Sequence, residues 1–372
     1  MFLKRGLAAA LAAVTVIGLA GCGGSDDAAE ADTATVKKGF VEKKVEPVNF
    51  DSGVELTSDC YRFIYALGNA PATIDAAKFF KMRLEQESKG TLSCDIYTDN
   101  VLGSERELLE GCQFGNYDIV LATNATVASF ENDIFCLDIP WLFDNKQQVY
   151  EVLDGPLGDR LADGLEDSGF KLLQWQENAF RTLSTNKPIK DMSDLKGVKI
   201  RIMENELQLQ QWKNYGANPT PMAFTELFTA LQQKTVDAQD NGAELTWQTK
   251  FYEVQSHYTY TKHIYSPYLI LMSKDKFDAL TPEQQEIVLK VSDEAVAYER
   301  QRCDEYEKVA LENIKNCGTM QYSDLDPKVK AEMVKACEGL KEMAYKKVAD
   351  PSVVDLLYDE VAKAKEKFPE EG

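Results

Sequence analysis

Between Tyr61 and Ala122 the sequence alternates between strand-like and helix-like stretches joined by short links. No other feature restricts the fold as much. Tyr61-Arg62-Phe63-Ile64-Tyr65-Ala66-Leu67 reads as a first strand. Residues 75–89 carry Ala76, Phe79, Phe80 and Leu84 at helical spacing and stop at Gly90, which suits the left-handed turn that closes a helix. Leu92 to Tyr97 reads as a second strand. Ser104-x-x-Glu107 is a capping box opening a helix through Phe114, and Asp118 to Ala122 is a third, apolar strand. Strand, helix, strand, helix, strand on short links implies a parallel sheet with right-handed crossovers.

A second unit follows a helical stretch at 146–168. Phe170 to Trp175 reads as strand. Val198, Ile200 and Ile202 alternate with Lys199, Arg201 and Met203, a period of two. Phe224 to Gln233 is a helix with Leu227, Ala230 and Leu231 on one face, and Thr235 to Gln239 returns as strand. Thr281-Pro282-Glu283-Gln284 is a capping box with proline at the first helical position. The helix it opens keeps Ile287, Val291, Ala295, Tyr298, Tyr306 and Ala310 on one stripe. Extended to Asn316 it measures roughly 50 Å, longer than one small domain. A length of 372 residues agrees with two domains, and 44% hydrophobic residues excludes wholesale disorder.

The first 22 residues, MFLKRGLAAALAAVTVIGLAGC, have a different purpose. Lys4 and Arg5 precede an apolar run, Leu7 to Ala20, that is short for a membrane span. Leu19-Ala20-Gly21-Cys22 resembles the bacterial lipoprotein signal. That resemblance implies cleavage after residue 21, lipid on Cys22 and an extracytoplasmic, membrane-anchored protein. Residues 22–57 are expected as the lipidated cysteine and a flexible linker, since Gly23 to Glu30 is small and acidic.

The chain has 61 acidic and 41 basic side chains, for a net charge of −20. Loss of residues 1–21 removes Lys4 and Arg5 and no acid, giving −22. Such a balance excludes nucleic acid as a partner. Two histidines, His257 and His263, and no Cys-x-x-Cys leave no metal motif. The cysteines after Cys22 number seven: Cys60, Cys94, Cys112, Cys136, Cys303, Cys317 and Cys337. An odd count leaves at least one thiol free; a Cys317–Cys337 bridge is geometrically open, as are buried thiols throughout. Phosphate-binding loops, nucleophile elbows and zinc-protease motifs are absent. The acids of Glu299 to Glu307 read as a solvated helix face. No catalytic residue, metal or cofactor is expected.

Residues 178–241 carry the functional signal. They contain Asn178-Ala179-Phe180-Arg181, Asp194-Leu195-Lys196-Gly197-Val198-Lys199-Ile200-Arg201, Gly216 to Leu227, Thr229-Ala230-Leu231-Gln232 and Val236-Asp237-Ala238-Gln239-Asp240-Asn241. With Leu102-Gly103-Ser104-Glu105-Arg106 before them and Phe251-Tyr252-Glu253-Val254-Gln255 after, they closely resemble the solute-binding proteins of TRAP transporters, the tripartite ATP-independent periplasmic systems. The likeness spans roughly residues 60–320. It implies an α/β fold of the two-domain periplasmic solute-binding type, each domain a sheet flanked by helices, with crossing strands and a long helix spanning both. The domains would be 58–178 plus 267–306, and 179–266 plus 307–372. A small organic acid would bind in the cleft, and the small and large membrane subunits of the transporter would receive it.

On this resemblance Arg201 takes the ligand carboxylate, Arg181 is a second cleft arginine, Phe224 forms an aromatic wall and Asn241 is the cleft asparagine. The residue pattern agrees for Arg201: Val198, Ile200 and Ile202 face the core, so Arg201 faces away, near a strand's carboxyl end. Its planar fork pairs bidentately with a carboxylate. Read from alternation alone, Arg201 is a surface arginine in an ion pair worth about 0–1 kcal/mol. Phe224 alone is a core aromatic, and Asn241-Gly242 a turn. Asp237-Ala238-Gln239-Asp240-Asn241 departs from the family's usual Asp-Gly-Gln-Glu-Asn. Members that bind sialic acid have Glu and Arg where this chain has Thr123 and Thr126, which disfavours that sugar. Glu105, Thr123, Asn124 and Thr126, with Asn178 and a stacking Trp175, are expected around ligand hydroxyls. The run Arg201 to Asn205 is similar to that of sugar-acid binders, which makes Asn205 a further candidate ligand contact and favours a uronate or aldonate over a C4-dicarboxylate or keto acid. The same fold serving a sensor kinase, or an extracellular carbohydrate-active enzyme, are the competing readings.

Overall fold

The computed structural model describes residues 36–370. The signal segment, Cys22 and the start of the expected linker lie outside the described residues. Among the described residues nine strands form one continuous mixed sheet, ordered β2-β1-β3-β8-β4-β7-β5-β6, with β9 also on β8. The first lobe is the expected alternation: β1 (Tyr61–Ala66), α1 (Pro71–Glu87), β2 (Leu92–Tyr97), α2 (Glu105–Gln113) and β3 (Ile119–Thr123). β1 pairs in parallel with both β2 and β3. Ser104 and Glu107 cap α2 reciprocally, as the sequence predicts. A four-residue turn of helix, α3 (Asn124–Val127), follows β3.

The helical stretch expected at 146–168 is two helices, α4 (Lys146–Leu153) and α5 (Pro156–Asp167). Pro156 cannot donate to the preceding turn, so the chain breaks there and restarts. The strand expected from Phe170 to Trp175 runs much further, as β4 (Phe170–Thr185). The second lobe adds β5 (Lys199–Ile202), α6 (Glu206–Asn214), β6 (Asn218–Pro221), α7 (Phe224–Gln232), β7 (Ala238–Asn241) and α8 (Ala243–Gln248). The strand expected at Thr235–Gln239 starts later, because Thr235 N–H donates to Ala230 O in the turn that leaves α7. β8 (His257–Ser273) then returns antiparallel to the whole of β4. Its first half pairs with the part of β4 that carries the second lobe, its last half with the part that carries the first.

After α9 (Lys274–Asp278), α10 (Pro282–Asn316) opens with the predicted Thr281–Gln284 capping box. It spans both lobes: Val288, Val291 and Ala295 pack with Phe63, Phe80 and Leu84 of the first, Ala310 and Ile314 with Ala243 and Tyr258 of the second. The chain ends with β9 (Gln321–Asp324), α11 (Pro327–Ala336), α12 (Leu340–Lys347) and α13 (Ser352–Lys367). α13 packs on α4 and α5. The core on this side of the sheet runs without a break from Val120 and Leu161 through Leu183 to Ile200 and Trp212. Among the described residues no helix is long and apolar enough to cross a membrane. The seven described cysteines are all free thiols, six of them buried.

Residues 36–57 differ from the expected linker. They lie along α10 as an extended strap. Lys37 N–H donates to Cys317 O at 2.8 Å, and Phe40 packs edge-on against Trp247. Lys43 and the buried Asn313 exchange two hydrogen bonds, each 2.9 Å, through the Lys43 backbone and the Asn313 amide. Further on, Arg302 donates to Glu46 O, Ser52 to Glu85, and Thr57 N–H to Gly90 O. Gly90 sits at φ +82°, and a Cβ there would lie 2.4 Å from Glu55 O, so the strap's seat requires glycine.

Asn313→Ala should strip the Lys43 backbone of both partners and cost about 1–3 kcal/mol. A lower melting temperature with earlier proteolysis between residues 36 and 57 is expected. An unchanged digestion pattern would show that the strap is not held this way.

Candidate functional site

The carboxyl ends of β1, β3, β5 and β7 converge on one cleft between the lobes, where open α/β sheets bind ligands. Gly68, Asn69, Glu105 and Thr123 line it from the first lobe, Arg201, Phe224 and Asn241 from the second. Asn178, Arg181 and Tyr268 line it from the crossing pair β4–β8. Counted to its open mouth the cleft holds about 670 Å³, a size suited to a small molecule.

β5 places Arg201 as the alternation predicts: Ile200 and Ile202 are buried in the core, and the arginine lies between them in sequence but in the cleft. It is only 3% exposed. Its Nε donates to Met222 O at 2.8 Å, and its guanidinium stands over the Phe224 ring, 6.0 Å from the centroid. Among the described residues no carboxylate lies within ion-pair distance of it. Arg181 is equally buried but balanced. Its Nε and Nη2 each reach an Asp240 carboxylate oxygen at 3.1 Å, and Nη2 also donates to Asp240 O. His263 Nε2 lies 3.0 Å from the same carboxylate.

These pairings set the charges. Burial alone would raise the Asp240 carboxyl, but Arg181 and His263 outweigh it and hold it well below the usual range. Burial lowers Arg201, and the neighbouring Arg181 lowers it further, to about 10. At neutral pH Arg201 therefore remains a cation without a protein counter-ion, which favours an anionic occupant.

Glu105, in the first turn of α2, gathers the first-lobe edge. Its Oε2 accepts from Thr123 N–H at 3.1 Å, Thr123 Oγ1 at 2.6 Å and Thr126 Oγ1 at 2.7 Å. The threonine protons point to Glu105, so these hydroxyls face the cleft as acceptors. Asn241 Nδ2 donates to Gln239 Oε1 at 2.5 Å, and its backbone carbonyl accepts from Thr182.

Three expected residues are elsewhere. Trp175 is buried in the core against α5, where its indole nitrogen would lie 2.9 Å from a Cβ on Gly158. A register shift between Leu172 and Gln174 resets which side chains face which side of β4, so its side chain does not reach the cleft. Asn124 is fully buried behind the cleft wall and accepts from Ser266 Oγ at 2.8 Å. Asn205 is the N-cap of α6, accepting from the amides of Leu207 and Gln208. Its Nδ2, with Gln208 Nε2, donates to Asp138, whose carboxyl burial pushes up to about 7. All three do structural work.

Asn69, Arg106, Glu204 and Tyr268 line the cleft unforeseen. Arg106 Nε reaches Glu204 Oε2 at 3.3 Å across the mouth, joining the lobes. The motif around Ser104 already contains Arg106. Tyr268 belongs to β8, which the sequence reading lacks.

Known proteins bear on this arrangement. Residues 65–347 match the family described as bacterial extracellular solute-binding protein, family 7. The 2,3-diketo-L-gulonate-binding periplasmic protein YiaO of Escherichia coli K12 is 34% identical over 274 residues, covering 73% of this chain and 84% of its own. The crystal structure of the sugar acid binding protein DctPAm from Advenella mimigardefordensis, in complex with galactonate, is similar with a TM-score of 0.79 and 29% identity, covering 82% of this chain and 99% of its own. A TRAP periplasmic solute-binding protein from Xanthobacter autotrophicus Py2 with bound β-D-galacturonate has a TM-score of 0.75 and 28% identity, over 80% and 99% of the two chains. Two lobes on shared strands, a cleft at their carboxyl ends and a family match over most of the chain lead to one conclusion: the chain belongs to family 7 of the bacterial extracellular solute-binding proteins, the receptors of TRAP transporters.

Proposed function

We propose that this receptor captures a sugar acid, a uronate or aldonate, and hands it to the membrane subunits of a TRAP transporter. The observation that carries the reading is the pair of buried arginines in one cleft, of which only Arg181 has a protein carboxylate. Arg201 takes the ligand carboxylate through its guanidinium fork, and Phe224 holds the arginine's flank. One unpaired cation suits one carboxylate. A C4-dicarboxylate brings two, and the other arginines lining the cleft, Arg181 and Arg106, already have carboxylate partners.

The rest of the lining suits hydroxyls: Asn69, Asn178 and Asn241, with the acceptor oxygens of Glu105, Thr123 and Thr126. The relatives named for galactonate, galacturonate and diketogulonate support the same ligand class. Closure of the two lobes about β4 and β8 would bury the ligand, a hinge motion driven by tighter binding to the closed form. The domains 58–178 plus 267–306 and 179–266 plus 307–372 are the moving bodies in this reading. Leu19-Ala20-Gly21-Cys22 supports lipid attachment at Cys22, which would keep the receptor beside its transporter.

A thermal-shift panel of D-galacturonate, D-galactonate, succinate and pyruvate separates the ligand classes. Sugar acids should raise the melting temperature by mass action. A shift with succinate alone would replace the sugar-acid reading by the dicarboxylate one. Arg201→Ala should weaken sugar-acid binding by about 3 kcal/mol, more than 100-fold, and Arg201→Lys should restore only part of it. Calorimetry giving wild-type affinity for Arg201→Ala would remove that residue from the carboxylate site. Metabolic labelling with a fatty acid should mark the full-length protein and be lost in Cys22→Ser; equal labelling of both would refute the anchor.

A further inference from the structure

Among the described residues five of the thirteen α-helices bring their own caps. Ser104, Asn145, Asn205, Thr281 and Asp326 each accept from the first turn of the helix they precede. α1 is one of those that do not, and its cap comes from elsewhere. It is seventeen residues long, starts Ala70-Pro71 and has no side-chain cap of its own. Its first amides have no partner within the helix. One of them is satisfied from the other lobe: Ala72 N–H, fully buried, donates to Glu244 Oε1 at 2.8 Å. Glu244 stands in the first turn of α8, which follows β7, 172 residues away in sequence.

We propose that Glu244 is a positioning residue for ligand capture: it caps α1 across the lobe boundary and so latches the two lobes together. The cap and the cleft share their supports. Gly68 and Asn69, which lead into α1, line the cleft on one side. Asn241 and Leu245, which flank Glu244, line it on the other. A movement of either lobe that widens the cleft between these segments also pulls Ala72 from Glu244. The bare amide would then need water, because α1 offers it nothing else.

The acceptor oxygen, rather than a charge, does this work. Burial pushes the Glu244 carboxyl up to about 8, although the Ala72 amide pulls it down. A carbonyl-type oxygen at the same place would serve as well. A second contact at the cleft between the lobes, Arg106–Glu204, differs in kind. Both of its side chains are about two-fifths exposed, so salt screens it. Salt should leave the Glu244 contact intact.

The proposal rests on the reading of the cleft as a closing receptor site, and the test separates the two. Dissociation of D-galactonate is followed by stopped flow for wild type, Glu244→Ala and Glu244→Gln at low and high salt. In parallel, amide hydrogen exchange of the ligand-free proteins is read over residues 68–76. Glu244→Ala should dissociate about 5- to 30-fold faster with an unchanged association rate, at both salt concentrations. Glu244→Gln, which keeps the acceptor, should behave as wild type. Exchange over 68–76 should be faster in Glu244→Ala alone, with other segments unaffected. Equal exchange in all three proteins overturns the latch whether or not galactonate binds. So does a dissociation rate in Glu244→Ala equal to wild type, or a Glu244→Gln variant that fails like the alanine. Normal protection by Glu244 together with no galactonate binding by wild type counts against the sugar-acid reading alone.

Discussion

Two strands carry this molecule. β4 and β8 pair antiparallel over sixteen and seventeen residues, and every other strand of either lobe reaches the sheet through them. Regular pairing would make a rigid plank. It is interrupted between Gln176 and Ala179 and again between Arg181 and Leu183, where Lys262 on the partner strand takes φ +48°. Each interruption bends the pair and re-aims side chains. The first lets Asn178 face the cleft while its neighbour Glu177 turns to the rear. The lobes meet where the ladder is weakest, and Asn178, which lines the cleft from the crossing, lies within one of its irregularities.

Behind that crossing the charges are locked. Lys146 Nζ lies 2.6, 2.9 and 2.7 Å from Glu177, Asp304 and Glu307, joining α4, β4 and α10. Those three carboxylates are grouped closely enough to hold a metal ion, but the ammonium stands among them. Tyr150 adds a hydrogen bond to Glu177. In front of the crossing the opposite holds. Arg181 is matched by Asp240, whereas Arg201 is not matched, so the front carries a surplus positive charge inside a protein of net charge −20. Net charge governs solubility and long-range encounter; a low-dielectric cleft answers to its own few groups. An acidic protein that binds an acid is consistent on these terms.

The sequence is most legible where local rules act alone. β1 to β3, the capping boxes at Ser104 and Thr281, and the span of α10 all follow from spacing and end signals. Arg201 is legible for the same reason, since two apolar neighbours in a short strand decide its direction. What escapes reading depends on partners distant in sequence. β6 is Asn218-Pro219-Thr220-Pro221, two residues without N–H groups, and it exists only because an edge position asks for donors on one side. β8 begins with alternating polar and aromatic residues whose pairing shifts along its length. Trp175, Asn124 and Asn205 look like ligand groups by type. A register shift, a buried hydroxyl partner and an N-cap decide otherwise, and none of these has a signature at the residue itself. The helices α11 to α13 close the core around Trp212 and Leu357 without any distinctive motif.

The strap shows how an extension becomes part of a fold. Residues 36–57 precede the stretch that matches the family, residues 65–347, yet they satisfy groups that the body cannot. Asn313 is 1% exposed, and its amide has both of its hydrogen bonds with Lys43. Without the strap that amide would need water on a surface shaped to exclude it. The guanidinium of Arg302 binds Asp75 of α1 with one edge and Glu46 O of the strap with the same nitrogen, so the tie between α1 and α10 runs partly through the extension. Trp247 of α8 donates to Glu42, and Phe50 packs on Tyr298 of α10. Contacts before Lys43 are with the second lobe, and those after Glu46 are with the first. Apart from the turn in which Phe40 N–H donates to Lys37 O and the short bonds at Asp51 and Ser52, the strap is held by the body rather than by itself, so one extended segment is tied at its start to the second lobe and at its end to the first.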